Sequence, residues 1–471
     1  MKFGFWLDYD QTWTFVALYR ALAGRLPGAR ATGIVVNDRY WAHAAEGLPA
    51  GTGLLNLYAR IEAARATPLE GEALARFRAR DVALRLGRAA WSDRHLTRLP
   101  QAETLRILAG LERDFSAYLD RERPDVFVFN CIASMYAHLF YELLAERGIR
   151  VVIPTHTGIG GLFHLFDNPD LAWPEVWDTA ARWRARPDGA DPDAMAWAGA
   201  YVAGLKAAKP AYALGTVALE AARFRLPGPG RALRYLRNWY AFDRRDLTLP
   251  SPAARLRALA AYRINARRSA ALSEPPEVLD GHDVAYLPLH YEPEIATLTL
   301  SKHDQRLLID LAARQIPATW KLAVKDHPAM LAQRPAGYFA ALKARYPNLV
   351  VVRSDTPSQA LIARSRLVLT LSGTVVVEAL AMARPVIYTA RARFSGFGLG
   401  TYAPDAIEFA PVLERALAWR PDDAALTVAV AAIRHHSRDT YVFAEPLGNP
   451  GVLEAGNVEA LAEAVRDRLG L

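Results

Sequence analysis

Cysteine is nearly missing from these 471 residues: Cys131 stands alone. One thiol forms neither an intramolecular disulfide nor a cysteine-based metal cage, so the expectation is a chain suited to a reducing compartment, the cytosol by default. No secretory leader is expected either, because the opening MKFGFWLDYDQ meets Asp8 and Asp10 before a long enough apolar stretch accumulates. The longest apolar run, residues 126–145, is broken by Asn130, His138 and Glu142, whereas a spanning helix needs about 20 mostly apolar residues. Acidic residues are scarce in one region only. Between positions 223 and 268 twelve arginines meet two acids, Asp243 and Asp246, a local charge of +10 in a chain whose net charge is +8. The basicity is therefore regional. Tyr235, Leu236, Trp239, Tyr240 and Phe242 interleave there with Arg231, Arg234 and Arg237 at helical spacing. Such a segment fits a solvated helical hairpin, or a face that lies on an anionic membrane surface or an anionic acceptor. No nucleic-acid-binding module surrounds it, so nucleic acid is not an expected partner.

What is present is enough apolar residue, 52% of the chain, for two cores of about 200 residues each. Short buried strands are expected at 2–7, 32–36, 125–130 and 150–154, separated by helices such as 102–122. A more regular set follows at 283–289, 319–324, 349–353, 367–371 and 385–388, with helices near 302–314, 337–345 and 358–364. This alternation predicts an α/β chain with two parallel sheets. Residues 173–273 read as helical and Arg-rich, and they end in the turn-forming SEPPEVLDG. The boundary is placed there, giving domains at 1–275 and 276–471, with a last helix that packs back on the first domain.

Ligands bind open parallel sheets at the carboxyl ends of their strands, and in the second half the polar residues gather at those ends. Strand 283–289 runs into His290-Tyr291-Glu292-Pro293-Glu294, strand 319–324 into Lys325-Asp326-His327-Pro328, and strand 367–371 into Ser372-Gly373-Thr374. Ser372 and Thr374 are expected to cap a helix, with Gly373 letting a phosphate approach its N–H groups. Glu378 lies one turn on, on the face of Thr374, within reach of ribose hydroxyls. His327 beside Lys325 suits hydrogen bonds to a departing phosphate. Glu292 and Glu294 suit a nucleophile or base at a sugar carbon. Each loop also reads as ordinary structure: a capped helix, a strand-ending turn, a solvated turn. In the first half Asp8-Tyr9-Asp10, His156 and the turn 158–161 follow strands and are candidates for the acceptor side, Asp8 as a general base. A DxD pair directly after the first strand is weak support for a metal, and none is expected.

The segments YLPLHYEPE, WKLAVKDHP and LTLSGTVVVEALAMARPVIY, in this order across residues 283–400, resemble the capsule polysaccharide biosynthesis proteins. FNCIASMYAHLFYELLAERGIRVVIPTHTGIGGLFHLFDNP adds a weaker similarity at 129–169. The resemblance implies a GT-B fold, two Rossmann-like domains facing across a cleft, here with a helical Arg-rich insert. It also implies a glycosyltransferase related to the CMP-Kdo-dependent Kdo transferases of bacterial surface glycans. The KxHP signature matches at Lys325, His327 and Pro328, and by resemblance His327 with Ser372, Gly373 and Thr374 would hold the CMP phosphate. One position departs. Where those transferases show Gln-Pro-x-x-Asp, this chain has Glu292-Pro293-Glu294-Ile295-Ala296. Glu294 is then the displaced substitute for the catalytic carboxylate, which leaves the sugar and the stereochemistry open.

The expected function is transfer of a sugar, a CMP-activated ulosonic acid such as Kdo, to a glycan or glycolipid acceptor in capsule or lipopolysaccharide synthesis. No cofactor beyond the donor is expected. The location expected is cytoplasmic, with residues 223–268 meeting the inner membrane. A UDP-sugar transferase or epimerase, a CDP-alcohol phosphotransferase and a non-catalytic glycan-binding or assembly protein remain alternatives.

Overall fold

Strand β1 (Lys2–Leu7) is buried from its second residue to its last, as are β2 (Arg30–Val35) and β4 (Val126–Val128) along nearly their whole lengths. Strands apolar on both faces must be covered by helices on both sides, which is the condition for a parallel sheet. The computed structural model describes residues 1–129, 131–207, 227–292, 300–327, 330, 334–335, 337–391, 393–405, 409–440 and 450–471. With β3 (Gly53–Asn56), β5 (Arg150–His156) and β6 (Phe163–Phe166), these strands form a six-stranded sheet in the order β3-β2-β1-β4-β5-β6. The second sheet holds β7 (Val284–Pro288), β8 (Lys321–Lys325), β9 (Leu349–Val352), β10 (Leu367–Thr370), β11 (Val386–Tyr388) and β12 (Thr401–Tyr402), in the order β12-β11-β10-β7-β8-β9. Counted from its own first strand, each sheet has the doubly wound 3-2-1-4-5-6 order of a Rossmann-like domain. The chain is thus α/β with two Rossmann-like domains, the GT-B arrangement.

Two expectations need correction. The first sheet is not wholly parallel: β6 runs antiparallel to β5 through the tight turn at 157–162, where Gly158, Gly160 and Gly161 all have positive φ. Strands β3, β6 and β12 went unforeseen, since each has four residues or fewer and lies toward or at a sheet edge. Short edge strands are shaped more by their neighbour than by their own pattern.

No strand occurs among the described residues of 173–273, but the stretch is not uniform. Helices Pro174–Ala185 and Pro192–Ala207 bury Trp173, Val176, Ala180, Ala198 and Val202 against Val428, Ala432 and Ile433 of helix Asp423–His436. One apolar cluster therefore runs from Trp6 and Ile34 in the first sheet to Tyr286 and Val368 in the second. The chain then returns. Phe163 and Arg438 exchange backbone hydrogen bonds at 3.0 Å, and helix Ala455–Leu469 seats Leu461, Ala462 and Val465 on Phe15, Leu18 and Tyr19. Helices Pro229–Ala241 and Pro252–Leu272 form the Arg-rich hairpin, in which Leu259 alone is a buried core residue. No helix among the described residues is long and apolar enough to cross a membrane.

Candidate functional site

The carboxyl ends of β7, β8 and β10 bring His290, Glu292, Lys325, His327 and the loop 372–374 to one edge of the second sheet. His290 is the joint between them. Its Nε2 lies 2.9 Å from Thr370 Oγ1, and that hydroxyl already donates its proton to Ser372 O at 2.8 Å. Nε2 must therefore carry the hydrogen, leaving Nδ1 as the acceptor of the ring. Burial and the neighbouring His327 push His290 down to about 4, so the ring is neutral at pH 7. Gly373, at φ +100°, keeps this contact open, because a Cβ there would stand 3.3 Å from His290 Cε1. Sequence reasoning named His290 only as part of its loop; its partner Thr370 is 80 positions away.

Glu292 is a strongly perturbed carboxyl of this edge. Burial pushes it up to about 7, partly offset by a hydrogen bond from Gln305 and by Arg334. A carboxyl that titrates near neutrality can both give and take a proton there. Glu294 and Pro328 lie outside the described residues. Lys325 Nζ donates to Thr356 O at 2.9 Å and Ser358 Oγ at 2.8 Å, which ties the ammonium to the start of helix Ser358–Arg364. The His327 ring meets Tyr291 edge-on at 6.3 Å, and its backbone N–H donates to Asp326 Oδ1 at 2.9 Å. Asp326 is buried and paired with Arg334 at 2.9 Å, so this loop is braced from beneath.

The cap expected of Thr374 is not made. Thr374 already has helical dihedrals (φ −65°, ψ −20°), whereas a capping side chain needs an extended residue to turn back on the first N–H groups. Its hydroxyl donates instead to Glu378 Oε1 at 2.9 Å, with Gln359 at 3.4 Å from Oε2. Glu378 is buried. Ser372 offers its carbonyl to Thr370 rather than a cap.

The first domain faces this edge closely. A Cβ on Gly158 would lie 3.2 Å from Thr374 Cγ2, and Arg393, in the loop after β11, donates from Nη1 to His156 O. The Arg393 carbonyl accepts from the indoles of Trp173 and Trp177 at 2.7 and 2.8 Å. Burial and the Arg393 guanidinium push His156 down. Arg94 stacks over Tyr291, 4.1 Å from the ring centre. Beside it, burial pushes His95 down to about 4. Arg94, His95 and Arg393 were not foreseen. Arg393 does follow a strand, which the rim rule could have caught; Arg94 and His95 lie between helices, where no rule applied.

Asp8 stands directly after β1, next to Tyr9, on the rim of the first sheet. Tyr9 Oη donates to Asp246 Oδ2 at 2.7 Å, Asn37 Nδ2 donates to the same oxygen at 2.8 Å, and Arg39 pairs with Asp243. Tyr40 Oη donates to Asp10 Oδ1 at 3.2 Å. The two acids of the basic segment thus clamp the hairpin onto the carboxyl ends of β1 and β2.

No curated protein matches the chain. Among solved structures it is similar to the UDP-GlcNAc 2-epimerase from Methanocaldococcus jannaschii (12% identity over 92% of this chain and 98% of that one, TM-score 0.28). It is similar also to the glycosyltransferase VinC in complex with dTDP (14%, 99% and 99%, TM-score 0.25). A third is Thermosulfurimonas dismutans KpsC, a beta Kdo 2,7 transferase (11%, 68% and 80%, TM-score 0.31). At these identities and scores the likenesses carry no information about substrate. Residues 301–439, which span the KxHP loop and the Ser-Gly-Thr loop, match the family of capsule polysaccharide biosynthesis proteins, the family that the three loop motifs resemble.

Proposed function

We propose that the protein is a glycosyltransferase of capsule or lipopolysaccharide synthesis, with a CMP-activated ulosonic acid such as Kdo as its donor. The observation that carries this reading is the edge of the second sheet. A carboxyl titrating near neutrality, Glu292, shares that edge with His290, His327 and the Ser372-Gly373-Thr374 loop; the last two lie inside the family match at 301–439, and Glu292 and His290 lie just before it. In the proposed step the acceptor hydroxyl gives its proton to a carboxylate, Glu292 or Glu294, as its oxygen bonds to the anomeric carbon. The bond from that carbon to the phosphate oxygen breaks, and CMP leaves with the electron pair. A hydrogen bond from His327 strengthens as charge gathers on the leaving oxygen. Asp8, on the first rim, is assigned to the acceptor side. Lys325, Ser372, Gly373, Thr374 and Glu378 are assigned to the nucleotide side, the last two as a hydrogen-bonded pair. No metal takes part in this scheme, so activity should survive EDTA.

The domains are proposed to divide at residue 275, with the donor in the second and the acceptor in the first. The enzyme is proposed to work at the cytoplasmic face of the inner membrane, held by the basic hairpin. The test is thermal stabilisation by CMP, CDP, UDP and GDP, since a ligand at 100 times its Kd should stabilise by about 2.7 kcal/mol. CMP should raise the melting temperature most. Equal or greater stabilisation by UDP would replace this reading with a UDP-sugar enzyme.

A further inference from the structure

A cavity of about 740 Å³ lies between the foot of the basic hairpin and the first domain, on the far side of the clamp formed by Asp243 and Asp246. None of the candidate site residues lines it. Its walls carry Trp41, Tyr240 and Phe242, with Glu62, Arg244 and Arg245 between them. Tyr240 is 64% exposed and Phe242 43% exposed, so folding leaves two aromatic rings in water beside a recess. Arg245 is held by Glu62 at 3.0 Å and Asp38 at 3.8 Å. Arg244 is exposed and makes no ion pair among the described residues.

We infer that this cavity binds an acidic oligosaccharide. Sugar rings present apolar C–H faces that lie on aromatic rings and a rim of hydroxyls that need donors and acceptors at once. The cavity offers both, with Tyr240 and Phe242 as platforms and Glu62, Asp38 and Asn56 as polar partners. Arg244, exposed and without an ion pair among the described residues, adds a planar fork that fits a carboxylate. Single-stranded nucleic acid also stacks on aromatic rings, but its phosphodiester backbone offers acceptors, whereas sugar rings offer hydroxyl donors to the carboxylates of Glu62 and Asp38. The volume falls in the range of small-molecule sites. Asn37, one residue before the lining Asp38, shares the Asp246 carboxylate with Tyr9, the neighbour of Asp8. The cavity is therefore tied to the rim assigned to the acceptor. That it seats the acceptor rests on the proposed transferase reading; that it binds an acidic glycan does not.

The probe is tetragalacturonate, with maltotetraose as its neutral counterpart and a ten-residue oligothymidylate as the nucleic-acid control, titrated calorimetrically into the full chain. Tetragalacturonate should bind more tightly than either. Tyr240→Ala and Phe242→Ala should each weaken it at least tenfold, and Arg244→Ala should remove the preference for the acidic sugar over the neutral one. All three variants should keep the wild-type melting temperature and the wild-type shift with CMP. No binding of tetragalacturonate, equal binding by the variants, or tighter binding of the oligothymidylate would overturn the inference. Tetragalacturonate binding in a protein that ignores every nucleotide would sink the transferase reading and leave this site standing.

Discussion

Glu292 and His290, two residues apart, are shifted in opposite senses by the same cause. Burial disfavours charge, so the carboxyl rises to about 7 and the imidazole falls to about 4. Near pH 7 the imidazole is thereby neutral and the carboxyl is divided between its two forms, a condition for proton transfer rather than for ion pairing. If Glu292 takes part in that transfer, Glu292→Gln should keep CMP binding and lower kcat by about 100-fold or more. Its effect on stability has the reverse sign. The folded-state value lies above the ordinary 4.5, so the native protein retains a proton that the unfolded chain releases. Stability should therefore fall as pH rises from about 4.5 to about 7 and change little through this group outside that window. Urea denaturation should find Glu292→Gln similar to wild type at pH 4 and more stable at pH 8, by at most about 3 kcal/mol. A parallel pH profile would place the carboxyl in water. His327→Ala should lower kcat by about 10²- to 10³-fold, or 3 to 4 kcal/mol, with a smaller loss in donor affinity. A lower melting temperature with normal turnover would mean that the histidine only ends a strand.

Among the elements, the basic hairpin is the one whose attachment rests on few groups. Asp246 accepts from Tyr9 and Asn37 through one oxygen and from the N–H and hydroxyl of Thr248 through the other, and it is 3% exposed. Asp246→Ala would remove the acceptor shared by the Tyr9 hydroxyl and the buried Asn37 amide, leaving them the Thr248 hydroxyl and Asp243 at 3.4 Å, at a total cost of about 1–3 kcal/mol. The expected outcome is local release. Hydrogen exchange and trypsin cleavage within residues 229–272 should accelerate while the two sheets stay protected. Unchanged exchange in that segment would show that the helices hold by their own packing. The loop before Thr374 contrasts with this, since its shape comes from contacts at hand: Thr370 to Ser372, Thr374 to Glu378, and Gly373 beside His290.

In the whole molecule the hairpin projects a mixed surface. Leu233 and Leu236 are exposed on its first helix, Leu256 and Ile264 on its second, and exposed arginines at 231, 234, 237, 257, 263, 267 and 268 surround them. Apolar tips among cations match the boundary of an anionic bilayer, where each arginine near the surface adds about 1 kcal/mol. Changing Arg231, Arg234 and Arg237 together to Glu should abolish co-sedimentation with vesicles of 30% phosphatidylglycerol in phosphatidylcholine at low salt, and CMP should stabilise this variant as it does the wild type. Wild-type protein that stays in the supernatant under those conditions would end the membrane proposal. The same three changes lie outside the lining of the cavity between the hairpin and the first domain, so oligosaccharide binding serves as an internal control.

The sequence by itself determined the two sheets and the edge at which to look. Strands β1, β2, β4, β5 and β7 to β11 were legible because buried strands are local apolar runs, with ends misplaced by a residue or two. The rim loops were legible because parallel strands put their carboxyl ends on one side. Only the tertiary structure decided what those loops touch. It set Arg94 over Tyr291 and joined His290 to Thr370. It turned Asp243 and Asp246 from a charge count into a clamp. It also made Thr374 a partner of Glu378 rather than a cap. The reason is physical: helix and strand periods act over a few neighbouring residues, whereas burial, and with it every shifted pKa and every hydrogen bond across the cleft, depends on which distant segments close over a group.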